Sequence, residues 1–337
     1  MKFTSGLVLL FASSGVQACD LCAVYRAADA RGDSGKGAVI SIAEQFIPYR
    51  TTQVDGVEVN PAFPEYVDSS ITHFVLGYNF NSRFGVSVNV PLNHLQFKRR
   101  DERYSTTFPF VEQVSEQGTE TGLGDMSLVG RVAVIQKNEM AYGFVVNLLA
   151  GVTFPTGSDA RLEDEVSQIG IYEQLFPGVP HPDPLSHSKS SVHQHSLALG
   201  SGSFDGVFGL TAYGRWQRWF VNGQFQYYLH TEGESGFQYG DELIVSGGPG
   251  AFVLLNRSYT LSLQANAVYD TMARDEVLGK PSNQTGLTAW YLGPLLTLTW
   301  GGHFSMNGGV DVPLRIANNG RQNVPDYRIH GGLSWRF

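Results

Sequence analysis

The sequence predicts an all-β fold, a transmembrane antiparallel β-barrel of about twelve strands, and three observations predict it. Apolar and polar residues alternate with a period of two in segment after segment from Gly37 to the last residue, the signature of strands with one apolar face. The connections between these segments alternate too, very short after each even-numbered strand and longer after each odd-numbered one. Aromatic residues gather at the strand ends that carry the short turns. A sandwich has no reason to keep its long loops at one end, whereas a bacterial outer-membrane barrel does, with short periplasmic turns and long outer loops.

Composition agrees. The chain of 337 residues holds 39 glycines, is 12% aromatic and only 16% charged. Beyond the apolar stretch that ends near Val16, no run reaches the ~20 residues that a membrane helix needs. A net charge of −8 argues against nucleic acid as a partner. Lys2, the apolar stretch Phe3–Val16 and Val16-Gln17-Ala18 read as an export signal. The expected organisation is a signal peptide over 1–18, a periplasmic segment over 19–36 that could plug the lumen, and a barrel over 37–337. Cys19-Asp20-Leu21-Cys22 reads as a local disulfide of an oxidising compartment; lipidation of Cys19 and a metal or redox role are the alternatives.

The strands follow in order. Gly37–Arg50 is the least regular. Tyr66–Phe80 presents Phe74, Leu76 and Tyr78 on alternate positions, and Asn81-Ser82-Arg83 turns it into Phe84–Phe97. A polar loop over 98–121 leads to Gly122–Gln136; Lys137-Asn138-Glu139 turns into Ala141–Phe154, the cleanest alternation. Residues 158–194 read as the longest irregular segment. His195–Arg215 and Trp219–His230 follow, with a parity change across Gly200–Gly206 that demands a bulge or bend. Glu242–Leu255 and Tyr259–Asp270 flank Asn256–Ser258; Pro249 there, and Pro294 in Gly286–Trp300, imply further bulges. Gly301-Gly302 turns into His303–Leu314. Tyr327–Phe337 closes the chain with Leu333, Trp335 and Phe337 on one face. Phe80, Phe84, Trp216, Trp219, Tyr259, Trp300 and Phe304 join Trp335 and Phe337 as an interfacial girdle at the short-turn end.

The face opposite the apolar one is the expected lumen. It carries Asn147, Asn222, Gln224, Gln226 and Asn266, with Asp125, Arg131, Arg215, Asp311 and Arg328 as its main charges. Arg131, Arg215 and Asp125 are expected to act together on the path. Mixed charge among many amides suits a wet lumen that is not a strong ion selector, or one filled by its own side chains. His181, His187, His193 and His195 lie near Glu163, Asp164, Glu165 and Asp183, but Pro180, Pro182 and Pro184 interrupt the tract. It reads as a solvated loop, so no metal and no cofactor is expected. No Gly-x-Ser-x-Gly elbow and no outward Ser–His pair is present, which argues against an enzyme.

Two resemblances add to this. The ending Trp335-Arg336-Phe337 resembles the closing strand of bacterial outer-membrane barrels, whose terminal aromatic is read by the barrel-assembly machinery. Thr121-Gly122-Leu123-Gly124-Asp125, Phe154-Pro155-Thr156-Gly157 and Gly200-Ser201-Gly202-Ser203-Phe204-Asp205 resemble motifs of the MetA-pathway of phenol degradation family, transporter-like outer-membrane barrels. The resemblance implies passage of small, often hydrophobic solutes through the bacterial outer membrane, with lipid, assembly machinery and solute as partners. A structural or adhesive barrel without transport is the alternative.

Overall fold

The computed structural model describes residues 36–139, 141–178, 183–256 and 258–337. The export signal, the Cys19–Cys22 pair and His181 lie outside the described residues. The wall is a closed antiparallel sheet of twelve strands: β1 (Gly37–Val54), β2 (Tyr66–Asn79), β3 (Phe84–Tyr104), β4 (Met126–Asn138), β5 (Tyr142–Phe154), β6 (Asp205–Trp216), β7 (Trp219–Leu229), β8 (Glu242–Leu255), β9 (Tyr259–Met272), β10 (Leu287–Trp300), β11 (Phe304–Asn318) and β12 (Arg328–Arg336). Each strand pairs with its sequence neighbour. The first and last then meet, Ile40 opposite Trp335 on one side and Leu76 on the other, so the wall has no free edge. No described helix is long and apolar enough to cross a membrane.

Burial along the wall inverts the order found in water. Outward apolar side chains stay open, among them Leu76 at 58%, Leu296 at 51% and Trp335 at 48% exposed, while the inward amides Asn266 and Gln226 are 0% and 1% exposed. Such a surface is stable only against hydrocarbon, and the closed ladder meets the matching demand that no backbone N–H face lipid unpaired. Glu44 is the one acid on the outward face of β1; it accepts a hydrogen bond from Thr72 across the β1–β2 ladder. Trp216, Trp219, Trp300 and Phe337 stand exposed at the short-turn end, where amphipathic rings suit headgroup depth.

The short turns are built by local chemistry. Asn81 Oδ1 accepts the N–H groups of Arg83 and Phe84, and Asn256 Oδ1 accepts those of Ser258 and Tyr259, the same Asx device twice. Gly301 and Gly302 take φ of +62° and +77°, which only glycine adopts freely.

Several expectations need correction. Val111–Leu123 is not loop but a strand that pairs with the outer half of β3, from Leu92 opposite Leu123 to Tyr104 opposite Val111, so this hairpin stands beyond the wall. Gly124 and Asp125 separate it from β4. The stretch 158–194 is not irregular throughout: it contains α1 (Ala160–Leu175). Residues 195–204 are not strand; a 3₁₀ turn over His195–Leu197 and an irregular segment precede β6, which accounts for the change of parity without a bulge. Nor do the prolines sit at bulges. The β8–β9 register shift lies at Phe252/Leu254 and the β10–β11 shift at Trp290/Tyr291. Pro249 opposes Val221 and Pro294 opposes Ala265 in unbroken register. Each proline follows a glycine pressed onto the neighbouring strand, where a Cβ on Gly248 would lie 2.0 Å from the Ala265 carbonyl oxygen and one on Gly293 1.7 Å from that of Val310. On that side the ladder skips these positions, from Gly247 opposite Ala267 to Gly250 opposite Gln264 and from Leu292 opposite Val312 to Leu295 opposite Gly309, so each missing donor falls in a gap of the pairing that adds no residue.

At the long-loop end the segment 183–201 folds back into the barrel mouth. Val192, Leu197 and Leu199 pack on Val67, Leu95 and Phe97 of the inner wall. Above them α1 contributes Leu162 and Ile169 to a second cluster with Leu185, Phe237 and Val277.

Candidate functional site: the lumen and its in-folded loop

The inner wall carries three tiers. Nearest the short turns, the Arg131 guanidinium donates to Asn147 at 3.0 Å and to Asn79 at 2.9 Å, and Asn147 donates to Thr211 at 3.0 Å. Tyr213, Phe220 and Phe252 stack beside this group, with ring centroids 5.8 and 5.2 Å apart. A cavity of about 40 Å³ opens against these rings, bounded also by Asn222, Gln224, Gln264 and Leu295, and no charged residue lines it. The Gln224 amide and the Tyr213 hydroxyl have no hydrogen-bond partner among the described residues, although both are buried.

The middle tier is cross-linked by side chains. Asn222 and Gln264 exchange two hydrogen bonds, at 3.1 and 2.6 Å. Asn266 donates to Asp311 at 3.2 Å, and His330 Nδ1 lies 3.5 Å from the other Asp311 oxygen. Above it, the Arg328 guanidinium binds Asp270, donates to the Tyr291 hydroxyl at 3.1 Å and lies 3.9 Å over the Tyr291 ring. Arg328 and Asp270 bound a larger cavity of about 110 Å³, lined also by Tyr49, Val192, His195, Glu242, Asp275 and Leu287. A site needs roughly 10–15 Å³ on this measure to hold one water, so there is room for several waters or a small organic group.

The mouth is sealed by carboxylates that take backbone N–H groups. Glu65 accepts from Ser191 N at 2.9 Å, from the Ser190 and Ser191 hydroxyls at 2.7 and 2.8 Å, and from Arg100 N at 2.7 Å. Asp101 accepts from Ser188 and Lys189, and Asp183 from Leu185, Ser282 and Asn283. Asp125 accepts from Gly157 N at 2.8 Å, Ser201 N at 2.6 Å and the Ser201 hydroxyl at 2.8 Å. Burial pushes the Asp125 carboxyl up, and its hydrogen bonds offset this only in part. At Glu165 burial favours the neutral acid, yet His195 and His193 beside it hold the carboxyl well below the usual range. Burial lowers His195, and the Glu165 carboxylate more than reverses that, so the imidazole is raised.

Asn147, Gln224, Gln226, Asn266, Asp311, Arg131 and Arg328 thus lie buried on the inner face, and Asn222 lies half-buried there. Asp125, Arg131 and Arg215 are not brought together. Asp125 clamps the in-folded loop, Arg131 belongs to the lowest tier, and Arg215 sits at the short-turn rim, donating to the Gln217 and Glu139 carbonyls at 3.3 Å each. The histidine tract departs furthest from expectation: His187, His193 and Glu165 are 5%, 2% and 2% exposed, not solvated. Sequence reasoning missed Tyr213, Phe220, Phe252 and Tyr291. Strand parity would have found Phe220, which shares its face with Asn222 and Gln224.

No family model and no curated protein matches the chain. Among solved structures, the COG4313 outer membrane channel from Pseudomonas putida F1 superimposes with a TM-score of 0.60 at 11% identity, over 90% of this chain and 96% of that one. The two share a fold. The translocator domain of autotransporter NalP from Neisseria meningitidis, at TM-score 0.42 and 12% identity over 93% of each chain, and a Pseudomonas aeruginosa FadL homologue, at 0.37 and 8% over 90% of each, superimpose more loosely.

Proposed function

We propose that the chain is a bacterial outer-membrane channel for small uncharged or hydrophobic solutes, with its short turns in the periplasm and its in-folded loop closing the outer mouth. The observation that carries this reading is the lower cavity. Three aromatic rings face it, and the two polar groups left unpartnered there, the Gln224 amide and the Tyr213 hydroxyl, are both uncharged. Such a wall offers apolar ring faces and uncharged hydrogen-bonding groups, in a space of about 40 Å³ that holds a few waters. The fixed charges of the lumen are of both signs: Arg328 pairs with Asp270, Arg131 is held by the neutral amides of Asn147 and Asn79, and Glu242 and Asp275 line the upper cavity, so no ring of one sign is present among the described residues to select ions. The fold shared with the COG4313 outer membrane channel supports a channel.

The cross-links Asn222–Gln264 and Arg328–Asp270 favour a second reading, a structural barrel braced from within. Reconstitution separates the two. Vesicles containing the protein should take up small aromatic alcohols faster than charged analogues of equal size. Phe220→Ala with Phe252→Ala should alter aromatic uptake selectively. Replacing residues 186–200 with a flexible linker should raise flux generally. Protein that passes neither class of solute, even without the loop, would leave the structural barrel as the better account.

A further inference from the structure

The outer cap contains a cluster that neither the barrel wall nor a channel requires. Glu165 projects from α1 towards the in-folded loop, where His193 and His195 flank its two oxygens. His193 Nδ1 is 3.7 Å from Oε1 and His195 Nδ1 is 2.9 Å from Oε2. One donor atom from each of the three residues falls within 4.8 Å of the others. The imidazole rings lie nearly parallel, 24° apart, with centroids 5.2 Å apart. Backbone N–H groups of Gln194 and His195, at 3.2 and 2.9 Å, fix the carboxylate in place.

An ion pair between Glu165 and His195 explains only part of this. It leaves His193, which is 2% exposed and whose two ring nitrogens have no hydrogen-bond partner among the described residues. A buried imidazole with both nitrogens idle is costly, and native structures rarely keep one without a ligand for it. A hydrogen bond at 3.7 Å does not supply one. A metal ion does. With bonds of about 2.0–2.2 Å, a tetrahedral zinc site holds its donors roughly 3.3 Å apart. The two carboxylate–imidazole separations lie on either side of that value and the donor atoms of the two imidazoles lie within 4.8 Å of each other, so the side chains close on one ion by shifts of up to about 1.5 Å. The far face of His195 is also prepared: Asp275 Oδ2 lies 3.9 Å from Nε2. At that distance Asp275 makes no hydrogen bond to the ring in this structure, but a small shift would let it accept one from Nε2–H, the usual outer partner of a histidine that ligates through Nδ1.

We infer that Glu165, His193 and His195 bind one divalent transition-metal ion of the zinc class, with two imidazoles and one carboxylate as ligands and Asp275 as the positioning residue behind His195. The ion replaces the Nδ1 proton of His195, which is released to solvent. Its structural effect is to fasten α1 to the loop that closes the mouth, at the wall of the upper cavity that His195 and Asp275 help to line.

The test uses the full protein, purified in detergent with a non-histidine tag and stripped with chelator. Titration with Zn²⁺ by calorimetry should show one tight equivalent, and Co²⁺ should give the intense visible absorption of a four-coordinate site. Glu165→Gln and His193→Gln should each abolish that equivalent while the barrel keeps its heat-modifiable migration. Asp275→Asn should weaken binding about 10- to 100-fold. The wild-type protein carries the test alone if the variants fail to fold: X-ray absorption of its zinc complex should show two imidazoles in the first shell. The inference is overturned by the lack of a tight equivalent in the wild type, by a first shell of oxygen only, or by binding that survives both substitutions in folded protein.

Discussion

The wall and the mouth are built from the same residue types but solve opposite problems. In the wall the backbone satisfies itself through the closed ladder, so inward polar side chains pair with one another, as Asn222 does with Gln264. At the mouth the in-folded loop brings irregular backbone into a buried space, and carboxylates must satisfy it, as Glu65 does for Ser191. The comparison teaches that an inward Asp or Glu in a barrel sequence need not be a pore charge. Its role depends on whether a ladder or a loop lies opposite it.

Four measurements would break or sharpen this contrast. The largest effect is expected from replacing Trp335 and Phe337 with Ser. Both are outward-facing at the seam with β1, and most of the heat-modifiable protein should disappear from outer membranes while export continues. Normal amounts would show that the seam does not depend on its aromatic ending. Next is the charge pair inside the wall. Asp270→Ala strands the Arg328 guanidinium in the lumen and should cost about 3–5 kcal/mol in unfolding from lipid vesicles, whereas replacing both residues with apolar ones should cost far less. Equal costs would mean that water reaches the pair freely.

At the mouth, Glu65→Ala removes the acceptor for a backbone N–H of the in-folded loop and for two of its hydroxyls, and should loosen that loop by about 2–4 kcal/mol. The expected readout is protease cleavage within 186–200 with barrel migration unchanged; loss of the barrel as well would erase the distinction between the regions. The smallest effect belongs to Asn222→Ala, which removes both hydrogen bonds that Asn222 exchanges with the Gln264 amide and should cost about 1–2 kcal/mol, since the widened lower cavity lets water replace them. A loss comparable to that from Asp270→Ala would mean that the middle tier acts as one network rather than as pairs.

How much was legible varies with this same division. The inward position of Asn147, Gln226 and Asn266 followed from parity, because a strand allows each side chain only two directions. The prolines mislead for a related reason: a missing donor reads as a bulge, whereas Pro249 and Pro294 each lie with the glycine before them in a short gap of one ladder that adds no residue. Asp125 was assigned to the lumen by its apparent parity, but it stands outside β4, at a break in the strand, where Gly157 and Ser201 claim both oxygens. The His193–His195 tract gave no helical or strand period at all, and so nothing that could reveal its burial.

The wall is written in the order of residues: an all-β chain, its alternation, the end that carries the short turns and the apolar belt. Those properties are periodic and local, fixed by side-chain direction and by the requirement that a sheet in hydrocarbon have no edge. The mouth depends on contacts that exist only in the folded chain. Residues 183–201 could lie in solvent or fold inward, and that choice rests on Glu65, Asp101, Asp125 and Asp183 meeting distant backbone N–H groups, the farthest of them Glu65 with Ser191, 126 residues apart in sequence. Contacts of that range leave no period along the chain, because they are set by where the closed wall places its rim.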